Sequence, residues 1–178
     1  MGGRVGDWAG AAHSKSALWA ARSLLHRDAM RVALFQPCIA GNVGAVLRIG
    51  ACFDTQIDLI EPMGFAWDDK RVARAGMDYI DHVRITRHRD WDAFLATVSS
   101  RIVLFTTKGA GRFDEAAYQP DDILLFGSED AGVPDPVHDR ADLRVRIPMK
   151  PAMRSLNLSV SAGIALSEAL RQTKGYPQ

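Results

Sequence analysis

The sequence predicts one α/β domain over residues 30–178, a mostly parallel sheet flanked by helices. Three observations carry that prediction. Short runs rich in Val, Ile, Leu and Phe recur along the chain, segments with apolar residues at helical spacing lie between them, and polar loops follow several of the runs. Apolar runs of four or five residues read as strands whose two faces are both covered. Strands alternating with helices make the sheet parallel.

The elements follow in chain order. Residues 1–29 hold Gly, Ala, Ser and scattered Arg, and their weakly apolar stretch Ala17–Leu25 is broken by Arg22 and Ser23. That is too interrupted for the core of a signal peptide. We expect a dispensable extension, an Arg-containing targeting peptide being the alternative. Strands are expected at Val32–Phe35, Ile57–Ile60, Ile102–Phe105, Ile123–Phe126 and Leu143–Ile147, with a weaker one at His82–Ile85. Gly44–Phe53 reads as a helix. Asp90–Val98 places Trp91, Phe94, Leu95 and Val98 on one stripe, with Asp90 as N-cap. Leu156–Gln172 is the longest helix and is apolar on most sides.

Composition narrows the function. The chain has 178 residues, 47% hydrophobic and 24% charged, which suits one domain with an adequate core. The formal net charge of +1 excludes a grip on nucleic acid by bulk charge, so any RNA contact must come from local patches. The two cysteines, Cys38 and Cys52, form no C-x-x-C and have no His at ligand spacing. No metal is expected, and two reduced thiols in a cytoplasmic protein are the simplest reading. No run reaches the roughly 18 apolar residues of a membrane span. Neither G-x-G-x-x-G after the first strand nor a P-loop is present, and Gly127-Ser128-Glu129 is not a G-x-S-x-G elbow. Ordinary dinucleotide binding, P-loop chemistry and serine hydrolysis are disfavoured.

Ligands of parallel sheets sit outside the carboxyl ends of the strands. Three loops there carry unusual residues: Thr106-Thr107-Lys108-Gly109, Gly127-Ser128-Glu129-Asp130-Ala131-Gly132, and Pro148-Met149 leading to Ser155-Leu156-Asn157. Each has a structural and a functional reading. Asn42 is either a helix cap or a site residue, and Arg48 is either solvated or functional. Gly127 serves a turn or lets a ligand approach the backbone. Ser155 or Asn157 opens the last helix, yet two such groups in one turn exceed what a cap needs.

Taken together, Asn42-x-Gly44-x-x-x-Arg48, Gly127-Ser128-Glu129-x-x-Gly132 and Ile147-Pro148-Met149 through Ser155-Leu156-Asn157-Leu158-Ser159 resemble the three motifs of the SPOUT superfamily of RNA methyltransferases. Glu61-Pro62-Met63-Gly64-Phe65-Ala66-Trp67-Asp68-Asp69-Lys70-Arg71 and Arg74-Ala75-Gly76-Met77-Asp78-Tyr79 resemble, more narrowly, the small bacterial enzymes that methylate the ribose of tRNA nucleotide 34. The likeness runs over nearly all of 30–178. It implies a C-terminal trefoil knot, an exception to the rule against threading, together with S-adenosyl-L-methionine as cofactor, tRNA as substrate and a homodimer. Carried over by position, it implies a cofactor held by Phe105, Thr106, Gly127, Ile147 and Ser155, and a catalytic neighbourhood of Arg48, Asn42, Glu129, Ser155 and Asn157. Many relatives carry Ser or Thr at 130 and often Arg at 131, where this chain has Asp130 and Ala131. The alternatives are a 2′-O-methyltransferase for another tRNA position or for rRNA, and a non-catalytic RNA-binding module on the same fold.

Local basic groups expected to face RNA are Lys70, Arg71, Arg74, Arg87, Arg89, Lys108, Arg112, Lys150 and Arg154. Phe65 and Trp67 either stack on a base or pack in the core.

Overall fold

A computed structural model describes residues 29–67, 77–109 and 111–178. The extension and the basic residues Lys70, Arg71 and Arg74 lie outside the described residues. The elements are β1 (Arg31–Phe35), α1 (Ala40–Cys52), β2 (Gln56–Ile60), a 3-10 helix (Met77–His82), β3 (Ile85–His88), α2 (Trp91–Leu95), β4 (Ile102–Phe105), β5 (Gly111–Arg112), β6 (Ile123–Phe126), α3 (Asp135–Arg140), β7 (Leu143–Arg146) and α4 (Leu158–Thr173). The strands form one seven-stranded sheet in the order β3-β2-β1-β6-β4-β7-β5. Every paired neighbour runs parallel.

Side chains alternate across a strand, and here both sets are apolar. Val32 and Leu34 of β1 join Val103, Phe105, Leu124 and Phe126 on the face covered by α1 and α4. Ala33 and Phe35 join Ile102, Leu104, Ile123 and Leu125 on the face covered by Phe94 of α2 and Val137 of α3. α4 contributes Leu158, Ala162, Ala165, Leu166, Ala169 and Leu170 to the core. Burying one such leucine contributes about 1.5–3 kcal/mol.

Three expectations need correction. The weak strand lies at Ile85–His88, three residues beyond His82–Ile85. It is one of the two edge strands and exposes Thr86 and Arg87, so no apolar run marks it. α1 starts at Ala40 rather than Gly44, with Ile39 as its N-cap and no side-chain cap, so Asn42 is not the cap. α3, which holds a single buried residue in Val137, was not expected. The Asp90 cap is as expected, accepting from Ala93 N at 2.7 Å.

Candidate active site

The loops after β4, β6 and β7 meet the start of α4 around a cavity of about 560 Å³. This volume lies within the roughly 300–1,000 Å³ of small-molecule sites. Phe105, Thr106, Gly127, Ile147 and Ser155, the five residues expected to hold a cofactor, all line it. So do Asn42, Glu129 and Asn157.

A chain of hydrogen bonds ties these loops together. Glu129 Oε2 accepts from the backbone N–H of Cys38 at 2.8 Å and from its thiol at 3.1 Å. Glu129 Oε1 accepts from Asn42 Nδ2 at 2.8 Å. Asn42 Oδ1 in turn accepts from Asn157 Nδ2 at 2.9 Å. Asn157 Oδ1 then caps α4, accepting from Ser159 N at 2.9 Å and Ser159 Oγ at 2.7 Å. Asn157 thus caps the helix with its oxygen, and its amide nitrogen donates to Asn42.

The charge at the centre of this chain is fixed. Burial alone would push the Glu129 carboxyl up, but the donors Cys38 N–H, Asn42 and the Cys38 thiol override it and hold the group below its ordinary range. The Cys38 thiol moves the other way, raised by burial and by its bond to Glu129. Cys38 carried no signal in the sequence, since its partner is 91 residues away.

Gly127 has a packing reason. A Cβ there would run into the Gly132 backbone, and Ser128 and Gly132 exchange two backbone hydrogen bonds of 2.9 Å. Gly132 itself has φ +70°, where glycine alone is comfortable. Asp130, exposed on this turn, is held low by Ser128 Oγ at 2.5 Å and Ala131 N at 2.8 Å.

Arg48 stands apart. It is exposed on α1, its guanidinium lies 5.0 Å from the centre of the Tyr79 ring, and it does not line the cavity. Ser155 is exposed on the cavity wall. Phe65 and Trp67 are partly buried against the core, and Arg87 covers the Trp67 ring at 5.1 Å. Lys108 and Arg154 flank the cavity. Among the described residues no cluster of His, Cys, Asp and Glu suits a metal ion, and no helix is long and apolar enough to cross a membrane.

Comparison with known proteins places this geometry. The SpoU rRNA Methylase family matches residues 29–167. A tRNA (cytidine(34)-2′-O)-methyltransferase from Beijerinckia indica is 48% identical over 144 residues, covering 79% of this chain and 90% of the relative. A solved structure concerned with "2-OH methylation of C/U34 on tRNA" superposes with a TM-score of 0.79 at 37% identity, covering 84% of this chain and 99% of that one. An AdoMet-bound rRNA methyltransferase from Sinorhizobium meliloti has a TM-score of 0.74 at 26% identity, covering 80% of this chain and 56% of that one.

Proposed function

The chain belongs to the SpoU rRNA methylase family, and from that premise we propose that it methylates the ribose 2′-hydroxyl of nucleotide 34 of tRNA, a cytidine or a modified uridine, using S-adenosyl-L-methionine. The observation that carries this reading is the Cys38–Glu129–Asn42–Asn157 chain beside the cavity at the strand ends. Relatives that carry the name tRNA (cytidine(34)-2′-O)-methyltransferase match this chain over most of its length, which supports the reading.

The residues present fit the cofactor. The cavity has apolar walls from Leu104, Phe105, Phe126, Val133 and Ile147. His138, on the same wall, keeps a buried Nε2 with no hydrogen-bond partner among the described residues. S-adenosyl-L-methionine supplies a methyl on a sulfonium, whose leaving group is neutral.

The protein's own task is then to present the hydroxyl and manage its proton. Glu129 is a weak base with both oxygens already engaged, so the hydroxyl proton passes to a solvent water, and the part of Glu129 is to hold Asn42 and the 127–132 turn in register. Asn42 and Asn157 keep their amides fixed by each other and by α4, which pre-organises the cavity edge. Ser155, exposed at the rim, is free to meet the incoming ribose. Arg48 acts from outside the cavity wall. Its guanidinium suits the RNA phosphate beside the reacting ribose, which it positions for attack.

A homodimer completes the reading. Ile39, Leu156 and Val160 are exposed by 50%, 39% and 48%, and the first two also line the cavity. Exposed apolar residues grouped beside a site suit a second copy, which would place both subunits' basic groups along one tRNA. The C-terminal trefoil knot and a cytoplasmic location belong to the same proposal. Incubation with methyl-labelled cofactor and bulk tRNA, followed by nucleoside mapping, tests it. Label in 2′-O-methylated nucleotide 34 is expected. Label only at another position, or only in rRNA, would overturn the substrate assignment.

A further inference from the structure

Tyr79 closes the motif Arg74-Ala75-Gly76-Met77-Asp78-Tyr79, and the function above gives it no task. It stands on the 3-10 helix Met77–His82, which packs on α1. Its side chain is half-buried, and Arg48 Cζ lies over its ring, 5.0 Å from the centre. No hydrogen bond or ion pair joins the Arg48 guanidinium to another described residue.

Arg87 is held differently. Its Cζ lies 5.1 Å from the centre of the Trp67 ring, but Glu61 also pairs with it at 2.6 Å. A carboxylate fixes a guanidinium and cancels its charge at the same time. A ring face attracts the cation through its quadrupole and supplies neither an anion nor a lone pair. The charge and the N–H fork then stay available for a phosphate. Ordering matters here because Arg48 is exposed, and an exposed Arg has much rotamer freedom to lose on binding. A partner that orders it in advance lowers that cost.

The helix sets where the cation stands. Asn42 is fixed at the cavity edge by Glu129 and Asn157. Arg48 lies on the same helix, a rise of about 9 Å further on. That places it beside the cavity, which suits a phosphate next to the reacting ribose rather than the ribose itself.

We propose that Tyr79 is a positioning residue, whose ring holds the Arg48 guanidinium in place while leaving its charge and donors to an RNA phosphate. The inference rests on the methyltransferase reading above and deepens it.

Single-turnover methyl transfer to bulk tRNA, with calorimetry against S-adenosylhomocysteine, tests this on the full-length protein. Tyr79→Leu, which removes the ring, is expected to lower the rate about five-fold, the scale of one exposed cation–π contact. Its S-adenosylhomocysteine affinity is expected to stay within two-fold of wild type. Tyr79→Phe keeps the ring and is expected to recover most of the lost rate. The double variant separates positioning from packing. Acting through Arg48, Tyr79→Leu lowers the rate no further in an Arg48→Ala background, whereas a merely structural role costs about five-fold there as well. A wild-type rate in Tyr79→Leu, an equal loss in Tyr79→Phe, or a loss that persists without Arg48 would overturn the role of Tyr79 alone. No transfer to any tRNA by the wild-type protein would overturn the parent reading as well.

Discussion

Replacing Glu129 with Gln changes one atom and removes one charge at the centre of the site. The carboxylate accepts three hydrogen bonds, two on Oε2 from Cys38 and one on Oε1 from Asn42. A glutamine amide has one oxygen, so in either orientation its NH2 faces a donor, either Cys38 N–H or Asn42 Nδ2. At least one charge-assisted bond is lost, each worth about 1.5–3 kcal/mol. Glu129 is only partly buried, and solvent screening takes the value to the lower end, about 1.5 kcal/mol. In a chain of this size that lowers Tm by roughly 3–6 °C. If the same energy holds the catalytic geometry, kcat/KM falls about ten-fold. The acid limb separates this from a general loss of packing. Glu129 has a folded-state pKa below its ordinary 4.5, so its stabilisation is complete above pH 4.5 and is lost as pH falls through the lower folded value. The stability gap between wild type and E129Q should therefore be full at neutral pH and close below pH 4.5. Thermal melts across pH 3–7 and a methyl-transfer assay measure both effects. Wild-type stability and rate in E129Q, or a gap that does not change with acid, would refute the clasp.

Three further outcomes are expected. Arg48→Ala should lower single-turnover methyl transfer about 100-fold while S-adenosylhomocysteine affinity stays within two-fold; a parallel loss of affinity would place Arg48 at the cofactor. Val160→Glu puts a charge into the exposed apolar patch and should shift sedimentation from dimer to monomer with loss of activity. A monomeric, fully active V160E would sink the dimer proposal. Removing residues 1–29 should leave Tm within about 2 °C and methyl transfer near full-length values, since β1 begins at Arg31, and a large loss in either would show that the extension contributes.

Much of the fold was legible because parallel strands buried on both faces must be apolar without interruption. β4 and β6 are such runs throughout, β1 is one after Arg31, and β2 is one broken by the buried Asp58; the bounds of all four agree with expectation to within one residue. The start of α4 was legible only to within two residues, with Ser155 and Asn157 both candidates ahead of a helix expected from Leu156; Asn157 is the cap and the helix runs Leu158–Thr173. The family resemblance was likewise enough to pick out Phe105, Thr106, Gly127, Ile147 and Ser155, which line one cavity. Edge strand β3 and the short α3 were not legible, since each buries too little to print a pattern. Three decisions belonged to tertiary structure alone. Asn42 became a bridge between Glu129 and Asn157 rather than a cap, Cys38 became the second hand on Glu129, and His138 was brought to the cavity with an unpaired nitrogen. Burial patterns are written in neighbouring residues, because a helix or strand repeats every few positions. A polar side chain's partner depends instead on which segments the sheet order brings together, here residues 38 and 42 after β1, 129 after β6 and 157 after β7, and no local period records that.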